Sequence, residues 1–467
     1  MNTGYGKHPD LLVVGAGMAG LAAAARAASH GLKVLVVEKR DEVGGSAALS
    51  AGIVWTAPNL AVFERVASAG DPQLGRALID DFEPAVQRVR ELGIPVSERW
   101  SGQMGVVLAY HVDIGALLAR WVAELEGAGG ELVLSTAARS LELDPQGAVR
   151  RVLVDGPDGR ELIEAGAVLL ASGGFQGDHE LVAQLIGFGA QDLPLRSASG
   201  SVGDGLRMGR SAGAALSRGL GMFYGHLIPD RVSSWQACQY LPLTQYHSAF
   251  SIVVNSRGRR FCDESLGDEV INQATLRQPG ARAVLICDER IRREHAMGPP
   301  YPHGQPIDRF AVAREVGARL VRADTLEGLT RAVGALGADG AGLRRTLADY
   351  ASAADGEAVA LDAPLPASPA KLNDPPFHAL AVTPTVTFPF GGLSVDADGH
   401  VLDRDDRWVR NLFAAGADAG GLQGPGYVGG LVLGLVFGPR AADAAWRALR
   451  PDAAQMPFAG RLGCRHG

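Results

Sequence analysis

The chain has 467 residues, 47% hydrophobic and 20% charged, a globular composition that excludes a disordered or fibrous protein and leaves room for two or three domains. A formal charge of −7 offers no cationic surface of the kind that nucleic acid or anionic lipid requires, so neither partner is expected. The 62 glycines follow no period and gather in short runs, which is where ligands are expected.

In chain order, residues 10–15 (DLLVVG) read as an apolar strand, 18–30 as an alanine-rich helix and 33–38 (KVLVVE) as a second strand. Both strands are continuously apolar, as in a parallel sheet covered on both faces. Helical spacing at 82–92 and 114–127 and further strands at 131–135 and 167–171 predict an α/β, Rossmann-like domain over residues 1–217. From residue 218 the texture changes: aromatics and prolines cluster at 223–246, a strand is expected at 251–255, and 310–354 is mostly helical. This predicts an inserted α+β cap, the substrate domain, over 218–375, with the proline-rich stretch 363–376 as the hinge back. Residues 376–467 then complete the first domain, with strands at 390–395 and 412–415 and a closing helix at 430–445.

Cys238, Cys262, Cys287 and Cys464 form no C-x-x-C pair, so no metal site, iron–sulfur cluster or disulfide framework is expected, and a reducing cytoplasm is the expected location. No signal-type segment is read before residue 10. No apolar run reaches the ~18 residues of a bilayer span, so no transmembrane segment is expected.

Gly15, Gly17 and Gly20 spell G-x-G-x-x-G between the first strand and the first helix, and acidic Glu38 ends the next strand. The first glycine permits the tight turn, the second lets backbone approach a pyrophosphate, the third allows close helix packing, and the helix N-terminus supplies partial positive charge. Glu38 is then the acceptor for the adenosine ribose. Ala16, Met18 and Ala19 lie in the same turn and Lys39 follows the acid, so all four are assigned to the cofactor. A second glycine pair, Gly44 and Gly45 with Ser46, comes a few residues later, which a bare nicotinamide site does not need.

At this point the chain resembles the fumarate reductase and 3-ketosteroid dehydrogenase family of FAD flavoproteins, whose opening pattern is G-x-G-x-x-G, an acidic residue, then G-G-x-S. Residues 169–178 (LLASGGFQGD), 255–264 (NSRGRRFCDE) and 412–418 (LFAAGAD) extend the resemblance over nearly the whole chain. It implies FAD as cofactor, a cap closing over the isoalloxazine ring, and substrate between the two. It also implies that Ala171, Gly173 and Gly174 line the cofactor, that Asp418 binds the ribityl chain, and that Gly429, Gly430 and Leu431 bring amides to the flavin pyrimidine. Ala138, Asp204, Gly416 and Val432 are assigned to the cofactor on the same footing. A helix beginning near Gly430 aims its N-terminal dipole at the flavin. Members with covalent flavin carry a histidine just after G-G-x-S; residues 46–52 (SAALSAG) have none, so the FAD is expected to be non-covalent.

Departures from the family bear on substrate. Fumarate-reducing members clamp a dicarboxylate with arginines and histidines, but Tyr427 and Asp268 stand at two of those positions, and residues 387–389 (TFP) lack the histidine. Holding two desolvated carboxylates without cations costs several kcal/mol each, so fumarate and succinate are not the expected substrates. Tyr427 instead brings a phenol to the flavin, as in the ketosteroid branch, and a phenol can donate to a carbonyl oxygen. Within the cap, Tyr224, His226, Tyr246 and His247 add phenols and imidazoles, and His111 precedes a helix. Tyr427 is the expected carbonyl donor, with Tyr246, His226 and His111 as the further catalytic candidates.

The expected reaction is desaturation of a C–C bond next to a carbonyl on a small or cyclic substrate; reduction of an activated alkene and dehydrogenation of a tricarballylate-type acid stay open. A sensor without turnover has no need of polar cap residues. No second G-x-G-x-x-G and no haem motif occur, so an external electron acceptor is expected: a quinone, a flavoprotein or oxygen.

Overall fold

Leu11–Val14, Val34–Val37 and Ala167–Leu170 are buried at every residue and pair in parallel in the computed structural model, which describes residues 8–101, 107–232, 235–302 and 304–451. Glu131–Val133 and Trp408–Ala414 extend the parallel sheet on its two sides, and His400–Leu402 closes one edge antiparallel. Strand alternation divides the core. Leu11, Val13, Val34 and Val36 pack with helices Met18–Ser29, Ile114–Gly127 and Leu431–Leu449, whereas Leu12, Val14, Leu35 and Val37 face a three-stranded sheet of Ala137–Leu143, Val149–Gly156 and Gly159–Glu164. Both faces are therefore covered, which is why these strands need no polar alternation. Gly434 and Gly438 allow the last helix to lie against the first, since a Cβ at these positions would stand 2.8 Å from Ala19 N and 2.6 Å from Ala19 O.

The helix expected at 82–92 is the second half of a longer one, Pro72–Glu91, whose N-terminus is set by Asp71 accepting from Gln73 N and Leu74 N and by proline at its first position. Its first half buries only Leu74, Gly75, Ala77 and Leu78, with Ile79 partly buried, which is a sparse signal.

The chain leaves this domain through Phe223–Tyr224 and returns through Phe388–Pro389, and the two crossings pair with each other. Between them lies an antiparallel sheet centred on Phe377–Thr383, flanked on one side by Ala283–Asp288 and Ile252–Val254 and on the other by Leu320–Ala323 and Ile228–Pro229. The expected boundary at 375/376 therefore falls one strand too early: the inserted sheet runs on through Thr383, and the return comes after it. Phe377–Thr383 is buried at all but its last residue and so reads like a strand of the parallel core, while the prolines before it are irregular backbone within the insert. The RRFCDE segment proves to brace this insert. Arg260 and Glu264 form a fully buried pair (Nε to Oε1 2.9 Å), and Glu264 also accepts from Val253 N.

Cys238, Cys262 and Cys287 are free thiols; Cys464 lies outside the described residues. Among the described residues no helix is long and apolar enough to cross a membrane, and no group of His, Cys, Asp and Glu is arranged to hold a metal ion.

Candidate active site

A cavity of about 700 Å³ runs from the turn after the first strand to the inserted sheet. Gly17, Met18, Ala19, Glu38, Lys39, Gly44, Gly45 and Ser46 line one end, Ala171, Gly173, Gly174 and Gly416 the middle, and Gly430, Leu431, Tyr427, Tyr246 and His226 the other end. Two kinds of glycine are distinguished here. At Gly15 (φ +103°) and Gly20 a Cβ would meet Ala171 O at 2.4 Å and Gly15 O at 1.9 Å, so these two keep helix and strands in contact. At Gly17 and Gly45 the nearest atoms to such a Cβ are 3.8 and 4.0 Å away, so a side chain there would project into the cavity. Glu38 is held against the cavity wall, accepting from Ala16 N (2.8 Å) and Arg40 N (2.9 Å). An open glycine track beside the N-terminus of Met18–Ser29, with a fixed carboxylate beside it, fits the pyrophosphate and ribose of FAD.

Several assigned residues sit behind this wall rather than in it. Asp418 does not reach the cavity: it is 1% exposed and accepts from Ser172 N (2.5 Å) and Ser172 Oγ, and burial pushes its carboxyl up to about 7. It joins the turn after Trp408–Ala414 to Ser172, whose hydroxyl in turn accepts from Gly205 N (2.9 Å). Asp204 pairs with Lys39 (2.6 Å), Ala138 is paired with Val154 in the three-stranded sheet, and Val432 is fully buried. Gly429 (φ +108°) serves a close approach, since a Cβ there would lie 2.1 Å from Trp55 O. His111 is also outside the lining; it stacks on Tyr301 at 5.1 Å.

At the inserted-sheet end the phenols and imidazole converge. Tyr427 stacks on Tyr224 (3.7 Å between centroids, 16°) and meets Trp55 edge-on at 4.9 Å. Its hydroxyl lies against the Tyr224 hydroxyl and the Gly430 amide, at the start of Leu431–Leu449. Tyr224 Oη then donates to His226 Nε2 (2.7 Å), His226 Nδ1 donates to Asp268 Oδ2 (2.6 Å), and Ser248 Oγ donates to Asp268 Oδ1 (2.6 Å). With Asp268 ionised, this tautomer satisfies both ring nitrogens. Burial pushes the phenols of Tyr427 and Tyr224 well up, and Tyr246 to about 12, so all three stay protonated donors at neutral pH. Burial also holds the His226 imidazole neutral, pulling it down to about 3, and raises Asp268 to about 7 against the opposing Ser248 hydroxyl. A cluster of groups with such displaced ionisation in a cavity is characteristic of catalytic sites.

Of the four catalytic candidates read from sequence, Tyr427, His226 and Tyr246 come together here and His111 does not; Asp268 was noted there only as a missing cation. Neither Ser248 nor Arg196 was singled out, and the polar surroundings of Arg196 in sequence (residues 189–200, GAQDLPLRSASG) give no sign that it is buried.

The sequence matches the FAD binding domain family over residues 10–431. A fumarate reductase (cytochrome) of Shewanella frigidimarina is 30% identical over 468 residues, covering 93% of this chain and 76% of the relative. A vinyl phenol reductase of Lactiplantibacillus plantarum is 25% identical, covering 92% of this chain and 94% of the relative. In fold, the chain is similar to 3-ketosteroid delta1-dehydrogenase from Sterolibacterium denitrificans, with a TM-score of 0.73, 21% identity, and coverage of 94% and 99%. The chain therefore belongs to the FAD binding domain family, with fumarate reductases among its relatives, and is an FAD-dependent oxidoreductase acting on CH–CH and C=C bonds.

Proposed function

We propose that the chain acts on a C–C bond next to a carbonyl of a small or cyclic substrate, desaturating it or, in reverse, saturating the conjugated alkene. The observation that carries this reading is the unbroken hydrogen-bonded chain from the cavity phenol Tyr224 through His226 to the buried carboxylate of Asp268. Bound FAD supplies the two-electron redox partner for the bond. Tyr427, protonated at neutral pH, donates to the substrate carbonyl oxygen, and the helix N-terminus beside it favours the negative charge that develops on that oxygen. As the α-proton arrives on Tyr224 Oη, the phenol passes its own proton to His226 Nε2, and Nδ1–H moves to Asp268 Oδ2. The tyrosine and imidazole end neutral and Asp268 ends protonated. A carboxyl that titrates near neutrality is suited to store that proton.

The relatives' names span a dicarboxylate, a vinyl phenol and a steroid ketone, so they support the bond type and not one substrate. Tyr427 and Asp268, where a dicarboxylate clamp would need cations, favour the carbonyl reading. Electrons leave to an external acceptor: a quinone, a flavoprotein or oxygen. The free thiols fit a reducing cytoplasm. Anaerobic mixing of the holoenzyme with cyclic ketones tests the proposal: bleaching of the flavin band is expected, and bleaching by succinate alone overturns it.

A further inference from the structure

We propose that Arg196 holds a single carboxylate of the substrate, which narrows the substrate class to small oxo acids carrying one carboxylate away from the carbonyl. Only the carbonyl end of this inference rests on the function proposed above; the anion site stands on its own geometry.

Arg196 is 6% exposed and lines the cavity beside Tyr224, His226 and Tyr246. One nitrogen, Nη2, is used in fixing the side chain, donating to Tyr240 O (3.0 Å) and Thr244 Oγ1 (3.1 Å), and the guanidinium lies over the Tyr240 ring at 5.1 Å. Among the described residues no carboxylate pairs with it. The acid nearest in role, Asp268, is already engaged by His226 and Ser248. The buried arginines of the insert are treated differently: Arg260 is matched by Glu264, while Arg309 spends its donors on the carbonyls of Thr244 and Ala296 and does not line the cavity. Arg309 shows that carbonyls alone can satisfy a buried guanidinium; Arg196 differs in lining the cavity, with donors beyond those that fix it, and its fork matches a carboxylate that enters from the cavity.

The FAD pyrophosphate, which the glycine track fits, does not supply that anion. The groups whose ionisation Arg196 influences are Tyr224, His226, Tyr240, Tyr246 and Asp268, all at the inserted-sheet end, away from the glycine track. The other two cations lining the cavity, Lys39 and Arg40, pair with Asp204 and Glu42 at the opposite end. Among the described residues Arg196 is the one unpaired cation lining the substrate region, which sets the number of carboxylates at one.

The test is calorimetric binding to the FAD-loaded protein of 4-oxocyclohexane-1-carboxylate, its neutral carboxamide, and cyclohexanecarboxylate. Wild type is expected to bind the oxo acid about 10²-fold tighter than the carboxamide, the scale of a buried charge pair. Arg196→Gln should erase that difference and Arg196→Lys should keep part of it, with FAD content and melting temperature monitored in each. Equal affinity for acid and amide in wild type, no binding of the oxo acid, or a preference that survives in a folded Arg196→Gln protein overturns the proposal. Wild type and Arg196→Lys carry the test if Arg196→Gln does not fold. Failure of the carbonyl reading has a different signature: cyclohexanecarboxylate binds as tightly as the oxo acid and Tyr427→Phe alters neither, while the dependence on Arg196 persists.

Discussion

Replacing Tyr427 by phenylalanine keeps a ring that stacks 3.7 Å from Tyr224 and meets Trp55 at 4.9 Å, and removes only the hydroxyl. That oxygen contacts the Tyr224 hydroxyl and the Gly430 amide, and because Gly430 lines the cavity, water can take over the lost partner. Stability and FAD content should therefore change little. Kinetically the loss is larger. A preorganised donor aimed at a developing oxyanion contributes about 2.7 to 4 kcal/mol, so the first-order rate of flavin bleaching at saturating ketone should fall by about 10² to 10³. Rapid mixing under anaerobic conditions measures that rate directly and separates it from binding. A Tyr427→Phe protein that bleaches at the wild-type rate, or one in which only the ketone concentration for half-saturation rises, removes this hydroxyl from charge stabilisation and leaves it an orienting contact.

How far the site could be read from sequence depended on how local each signal is. The glycine track was legible because its turn, strand and helix lie within about 35 consecutive residues and each glycine has a backbone reason to be there. Asp418 shows the limit of resemblance: its position in the chain was recognised, but its direction, towards Ser172 and Gly205, depends on packing between segments 246 residues apart. The relay was only half legible. Tyr224 and His226 are neighbours in sequence, whereas Asp268 comes from the helix Asp268–Leu276 and Ser248 from the turn Tyr246–Phe250, and nothing in either segment announces the contact. Burial adds what sequence does not carry: the His226 imidazole is deeply desolvated and pulled down to about 3, and the Asp268 carboxyl behind it is raised to about 7. The misplaced boundary has the same origin: uniform apolarity reports burial on both faces but not which sheet a strand joins.

Denaturing the holoprotein should release FAD intact into the supernatant, measured by absorbance, and flavin remaining with the precipitate contradicts a non-covalent site. Glu38→Ala should weaken FAD retention on dialysis while leaving the glycine track in place, since it removes the fixed carboxylate between Ala16 N and Arg40 N; unchanged affinity counts against the ribose assignment. Fumarate and succinate should turn over far more slowly than an oxo acid in side-by-side steady-state assays, and efficient fumarate reduction would overturn the substrate reading. The last expectation concerns Asp268, whose carboxyl is raised to about 7, chiefly by burial. Desaturation needs it ionised to receive the proton, so the bleaching rate should rise with pH and level off above about 7; alkene reduction needs it protonated and should fall over the same interval. The stability sign follows from the same shift: the fold favours the protonated acid, so its stabilising contribution is full below the ordinary carboxylate range and is lost as pH rises through about 7. Asp418 is shifted alike, so Asp268→Asn should flatten part of the fall in melting temperature and the double Asn variant more of it. Ser248→Ala sharpens the test, because it removes the hydroxyl that opposes the upward shift and should move the kinetic inflection to higher pH; an inflection that stays put assigns the titration to another group.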